Sequence, residues 1–374
     1  MFKLGTEEQV TEYFELNRAS QSFLKGLVKG VDFIKKDEAT RYYEEKGHFI
    51  IGSAVDVYLT QGQEAFADQF SYIDEDAKPS PAIMSIIHRI LDETDREYPS
   101  LSEVPEEIIV DACDNEGYGK SYKKETRVNK ILAARSYYED LLKSEGKILL
   151  SKKEQEIVLH CIMALTTSPY TSVYLNPPIH KDVIAQVAIL FEFEGVECKA
   201  LLDFLEINKV SKTVTIIDLK TVSDHTLNFE KALWRFQYNF QAAFYTEAIN
   251  KLISGEAELL DSTIELPEDF SLYTIEPFKF MVVSTKHTIG PKGEVLNLNP
   301  KPMMFTTSAE TLLLGKLGRP QLTYKLEEAP MFPVKTKEIK GFLQAIALYK
   351  WHMEHNTQFE IDYIEEVSNG DILV

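Results

Sequence analysis

The sequence predicts an α/β chain of the α+β kind, a central mixed β-sheet flanked by helices with a helical elaboration ahead of it. Three observations carry this. Apolar residues recur at helical spacing through most of the first 167 residues, the period then drops to 2 in three successive β-branched segments, and it returns to 3.6 immediately afterwards. In order, residues 8–29 (Val10, Phe14, Leu24, Leu27, Val28) read as one or two short helices, and Ala54, Val55, Tyr58 and Leu59 share one side of a helix beginning near Gly52. Ser80 and Pro81 form an N-cap and N1 pair opening a helix through Ile83, Ile86, Ile87 and Ile90, after which a turn-rich acidic loop is expected. Residues 120–145 read as helix ended by Gly146, and Ser151 with Glu154 makes a capping box for the next helix, which runs to Pro169. The strands are expected at 183–193, 197–207 and 213–222. A long helix over 229–253, a strand at 278–284, a hairpin-like segment at 289–293 and a closing helix at 339–355 complete the chain. We read one domain over 1–374, with its core at about 147–285, a helical part at 8–146 and a C-terminal elaboration at 286–374.

Of the 374 residues, 44% are apolar and 11% aromatic, enough to bury a sizeable interior, so disorder of the whole is excluded. Three dispersed cysteines (Cys113, Cys161, Cys198) support neither a disulfide framework nor a CxxC zinc site nor a four-thiolate cluster, and a reducing compartment is expected. No secretory signal core and no run of about 18 apolar residues occurs, so no membrane partner is expected. The formal charge of −19 disfavours nucleic acid globally, but it is unevenly spread. Residues 92–116 hold ten acids against one base and residues 354–374 hold six against none, whereas 199–235 carries six bases against five acids. The two acidic stretches read as solvated loop and tail, with shielding or regulation of a basic groove as the sharper alternative.

Chemistry concentrates at 198–221, CKALLDFLEINKVSKTVTIIDLKT. Side chains two apart on a strand share a face, which places Asp218 beside Lys220. A hairpin turning between Val210 and Ser211 pairs residues whose numbers sum to 421, which sets Asp203 opposite Asp218. The neighbours Leu201, Leu202, Ile216, Ile217 and Leu219 are apolar, so these charges sit in a buried sheet, where an unpaired ion costs several kcal/mol. Two readings remain open: a structural Lys220–aspartate pair, or Asp203 and Asp218 as oxygen ligands of Mg²⁺ (or Mn²⁺) with Lys220 facing the attacking water of a phosphodiester.

An aspartate followed some 15 residues on by Asp-x-Lys, here Asp203 with Asp218-Leu219-Lys220, resembles the PD-(D/E)XK nuclease superfamily, whose sheet is of the restriction-endonuclease-like type. Four further segments stand in matching order. NRASQSFLKGL (17–27) resembles the N-terminal helix of the RecB-like, RecE-like and lambda-exonuclease-like members. IGSAVD (51–56) stands where they carry Gly-x-x-x-His, GKILLSKKEQEIVLHCIMAL (146–165) resembles the helix before the catalytic sheet, and QAAFY (241–245) matches their Gln-x-x-x-Tyr. The likeness covers about 17–285. It implies a Mg²⁺-dependent exodeoxyribonuclease leaving 5′-phosphates, of phage or bacterial recombination or repair and cytoplasmic. Catalytic Lys220, Asp218 and Asp203 are implied, with Asp56 as an assisting metal ligand and Gln241 and Tyr245 as DNA contacts; Arg235, Lys231 and Lys199 are the basic residues expected to meet DNA phosphates. DNA is the implied partner, with a single-strand annealing protein and a homo-oligomeric ring implied by resemblance alone.

Gln241 and Tyr245, four apart, also share a helix face on their own spacing, extended upstream by Tyr238 and Arg235; core packing is the bland alternative. Two departures stand out. Asp56 replaces the usual histidine, and Gln186 stands near the position of a frequent glutamate. They keep open a second class, a noncatalytic DNA-binding or assembly protein on the same fold. The histidines show neither HxxxH nor HExxH spacing, and no Walker A or GxGxxG motif occurs, so a zinc hydrolase, ATP hydrolysis and dinucleotide binding are not indicated.

Overall fold

A mixed sheet organises the chain in the computed structural model, which describes residues 1–28, 47–73, 78–144, 146–291, 294–320, 323–326, 329–335 and 338–355. Two compact units form: Met1–Asp37 with Ala164–Ser284 and Pro300–Val374, and Glu38–Met163 with Thr285–Asn299.

The first unit is built from β1 (Phe2–Lys3), α1 (Glu7–Glu15), β2 (Ala19–Ser20), α2 (Gln21–Leu27), β3 (Lys181–Phe193), β4 (Val196–Asn208) and β5 (Thr213–Val222). It continues with α3 (Phe229–Arg235), α4 (Tyr238–Ile253), β6 (Ala257–Leu259), β7 (Thr274–Ile275), β8 (Lys279–Ser284), β9 (Met303–Thr306), α5 (Ala309–Leu317) and α6 (Phe342–Glu354). Among the described residues the sheet has nine strands. Its spine runs β1-β3-β4-β5-β8-β9, with β2 added to β4, β6 to β3 and β7 to β5. β3, β4 and β5 form an antiparallel meander, while β5 and β8 are parallel and joined through α3 and α4, so the sheet is mixed and flanked by helices.

The three expected strands match to within two residues at each end, because β-branched alternation there is strong and the turn is short. The β4–β5 pairs, Asn208 with Thr213 through Phe204 with Ile217, all sum to 421. Helix α4 lies on this sheet: Phe240, Phe244, Ala248 and Ile249 share a core with Ile189, Phe191, Ala200, Leu202 and Phe342. The expected single helix over 229–253 is two, because Gln237 takes a left-handed backbone (φ 55) that ends α3 and restarts the chain as α4. α5 was not foreseen. It approaches α4 so closely that a Cβ on Gly315 would stand 2.0 Å from the Asn239 carbonyl oxygen.

The second unit is mainly helical (Gly47–Thr60, Gly62–Gln69, Pro81–Glu93, Glu106–Asn115, Lys124–Leu132 and Arg135–Lys143), and Lys152–Thr167 begins in it. Its core gathers Ile86, Ile87, Ile90, Leu101, Ile109, Cys113, Ile131 and Tyr138. The capping box is made, with Ser151 N–H donating to Glu154 Oε2 at 2.8 Å and Glu154 N–H to Ser151 Oγ at 3.4 Å. The acidic loop is corrected. Glu106 and Glu107 sit in the first turn of a helix, where carboxylates suit the positive dipole end, and Ile109, Ala112 and Cys113 form its buried face. The expected helix over 120–145 breaks between Leu132 and Arg135. The acidic tail beyond 355 and residues 292–293 of the hairpin lie outside the described residues. Among the described residues no helix is long and apolar enough to cross a membrane.

Replacing Gly315 by alanine forces α4 and α5 apart at a backbone-to-backbone contact; the expected loss is about 1–3 kcal/mol, an overpacking cost, read as a lowered denaturation midpoint with an unchanged m-value.

Candidate functional site

The β4–β5 ladder stops after Phe204 and Ile217, one pair short of Asp203 and Asp218. There the strands part, β5 goes on pairing with β8 (Asp218 with Phe280, Lys220 with Val282), and the Leu219 N–H loses its carbonyl partner on β4. The Asp203 side chain replaces it, its Oδ2 accepting from Leu219 N–H at 2.7 Å. On the other flank the β3–β4 ladder pairs Ala185 with Phe204 and Val187 with Leu202 but skips Gln186 and Asp203. Gln186 there has a left-handed backbone (φ 52), an uncommon state for a buried residue with a side chain, costing of order 1–3 kcal/mol. Only a glycine fits beside it at position 5, for a Cβ at Gly5 would meet Gln186 Cβ at 2.4 Å. The sheet is thus opened on both sides of Asp203.

Asp218 fills the opening. It is completely buried (0% exposed), with Oδ1 accepting from Gln241 Nε2 at 2.7 Å and Oδ2 lying 2.5 Å from Lys220 Nζ. Burial pushes its carboxyl above the usual aspartate range, against the opposing pull of Lys220 and, more weakly, Lys25. For Lys220, burial favours the neutral amine, but the charges of Asp218 and Asp203 outweigh it and hold the ammonium above the ordinary lysine range. The same ammonium lies over the Tyr238 ring, 5.0 Å from its centroid. Tyr245 reaches the Gln241 side chain and is itself buried, its phenol pushed well up by desolvation. Sequence reasoning thus placed Asp203, Asp218, Lys220, Gln241 and Tyr245, and the structure brings them together. The core-packing alternative holds for Phe240 and Phe244, one residue away on each side.

Four placements differ from expectation or add to it. Lys199, expected to contact DNA, is corrected: it is buried (7% exposed) and donates to the carbonyls of Tyr13, Phe14 and Leu16 at 2.7, 3.3 and 2.7 Å. Its charge holds the C-terminus of α1, where unpaired helix carbonyls gather, and leaves no donor aimed at a phosphate. Arg235 ends α3 exposed, its guanidinium 5.4 Å from the centre of the Phe236 ring. Lys25 was missed as a site residue; it donates to the Phe236 carbonyl at 3.3 Å and its charge reaches Asp218. The only sequence signal for it was its place in the 17–27 segment. Asp56 belongs to the second unit, on the helix Gly47–Thr60.

The donor set fits a hard divalent cation. Two aspartates offer oxygen alone, the donor that a Mg²⁺-type ion prefers and zinc does not; among the described residues no group of three or more His, Cys, Asp or Glu is placed to hold a metal ion. Asp218 Oδ2, now shared with Lys220, is where an ion and the ammonium would compete.

The order of these parts along the chain, and their meeting on one mixed sheet, define the class as PD-(D/E)XK nuclease-like. Within that class, the chain belongs to the family described as PDDEXK-like domain of unknown function (DUF3799), whose model matches residues 20–275. No curated protein matches the chain.

Two outcomes follow from this geometry. Lys220→Met leaves Asp218 buried without its counter-charge and is expected to lose about 3–5 kcal/mol of stability in chelator, with Mg²⁺ raising the melting temperature more than it does for wild type. Lys199→Met orphans the α1 carbonyls and is expected to cost about 1–3 kcal/mol while leaving DNA affinity unchanged in a gel-shift titration.

Proposed function

We propose that the chain is a metal-dependent deoxyribonuclease, an exonuclease hydrolysing phosphodiesters to 5′-phosphate products in phage or bacterial recombination or repair. The observation supporting it is the carboxylate–ammonium cluster at the place where the ladder opens. A purely structural ion pair needs no such opening, and a buried pair of this kind adds little to stability over apolar residues of the same volume.

Asp203 and Asp218 would hold one or two Mg²⁺ or Mn²⁺ ions. Such an ion, when bound, supplies an activated water and neutralises charge developing on the phosphoryl oxygens. The residues do the rest. Lys220, as an ammonium, directs hydrogen bonds at the attacking water and the scissile phosphate, Tyr238 braces it from behind, and Gln241 fixes the orientation of Asp218. Tyr245 backs Gln241, while Arg235 and Lys231, both exposed, are the bases offered to the strand. A single-strand annealing protein and a ring of several copies remain proposals from resemblance.

Purified protein incubated with linear double- and single-stranded DNA is expected to release 5′-phosphorylated products with Mg²⁺ or Mn²⁺ and none in chelator. Lys220→Ala and Asp218→Asn are each expected to lower the rate by about 10²–10³-fold or more, as for removal of one charge-stabilising group. DNA binding without any metal-dependent cleavage by wild type would point instead to the noncatalytic assembly role.

A further inference from the structure

On the far side of α4 from Asp218 lies a cavity of about 480 Å³, whose lining includes Trp234, Arg235, Gln237, Asn239 and Arg319. Asn239 and Gln241 are two apart on α4, about 200° around the helix, so Gln241 turns to the acids while Asn239 turns away. Asn239 is 1% exposed, yet neither its amide nitrogen nor its amide oxygen has a partner. The Arg319 Nε and Gln237 Oε1, also buried, have none either.

Buried polar atoms are normally satisfied, because each one left unpaired costs free energy. Four belong to three residues of one cavity's lining and none is open to water, so they mark a wall left unsatisfied, which a ligand completes once the Asn239 amide turns toward it. An asparagine with both donor and acceptor unpaired asks for a ligand edge that offers an acceptor beside a donor, which is the edge of a nucleobase. Trp234 adds an aromatic face, and Arg319 and Arg235 add guanidinium groups suited to a phosphate. Glu310 and Glu338 also line it, Glu338 paired with Lys340 at 2.8 Å, so the wall mixes charges of both signs and suits a ligand that is polar over most of its surface. The volume lies in the usual range of small-ligand pockets, about 300–1,000 Å³.

We propose that this cavity is a nucleotide-binding pocket, in which Asn239 reads the base edge, Trp234 lies against the base and Arg319 meets the phosphate. The occupant is a nucleoside monophosphate unit, either free or carried by a single strand. The inference deepens the nuclease reading and rests on it for the source of the nucleotide. The close α4–α5 approach at Gly315 and the left-handed Gln237 hold the pocket's wall in place.

The test is binding to the full chain in chelator, so that cleavage does not enter, by calorimetry and thermal shift with the four deoxynucleoside monophosphates, a deoxyoctanucleotide, deoxyadenosine and inorganic phosphate. Wild type is expected to bind the monophosphates or the octanucleotide, and either result supports the pocket where Asn239→Leu weakens it, the first assigning a free nucleotide and the second a strand. Asn239→Leu, which removes the orphaned atoms, is expected to melt no lower than wild type and to bind at least tenfold more weakly. Arg319→Gln provides a second variant and is expected to abolish the preference for the monophosphate over the nucleoside. Absence of binding by both probes, unchanged affinity in Asn239→Leu, or inorganic phosphate binding as tightly as the nucleotides would overturn it. A chain that cleaves DNA but fails these tests loses the pocket and keeps the nuclease reading; one that binds without cleaving does the reverse.

Discussion

Everything at this site depends on one gap in a hydrogen-bond ladder. Backbone N–H groups inside a sheet must find acceptors, so two strands can part only where something replaces the lost carbonyl. Here the Asp203 carboxylate does so for Leu219. A side chain committed to that task is fixed in position by the backbone itself, more firmly than by packing alone. The second flank is opened by the left-handed Gln186, a strained conformation that the surrounding ladder over-determines and for which Gly5 leaves room.

The second organising feature is the break at Gln237. A continuous helix over 229–253 would keep one rotational phase from Phe229 to Ile253. The left-handed residue resets that phase, so that Tyr238, Gln241 and Tyr245 face the acids while Asn239 faces α5 and the cavity. Tyr238 joins the two halves through its ring: it stacks on Phe229 from α3 and lies under the Lys220 ammonium. The aromatic packing that anchors the helix break therefore also positions a charged group of the site.

How much of this the sequence disclosed follows from which interactions are local. The β4–β5 register was readable because a short turn, Lys209 to Lys212, joins two strongly alternating runs, and an integer sum then fixes every pair. Asp218 and Lys220 followed from strand period, and Gln241 with Tyr245 from helix period. What escaped notice depended on distant partners. Lys199 looks like any strand lysine until α1, some 185 residues earlier, brings three carbonyls to it. The two-residue strands β1 and β2 carry no periodicity at all and exist only because β3 and β4 accept them. Gln237 carries no glycine or asparagine signal for its left-handed turn, and the helix Glu106–Asn115 hid behind acids that read as loop but serve its N-terminus.

The overall charge of −19 stops being an obstacle to a polyanionic substrate once distance is considered. Fields of exposed charges fade within about 8 Å at physiological salt, so the approach of a phosphate is decided by the groups nearest to it. Around the opening these are Asp203 and Asp218 against Lys220 and Lys25, a balance of zero. On the proposed reading, one divalent cation would turn that balance to about +2 at the point where a strand must dock. Substrate attraction and chemistry would then depend on the same ion, and the acids elsewhere would act only as a brake on binding where no ion is held.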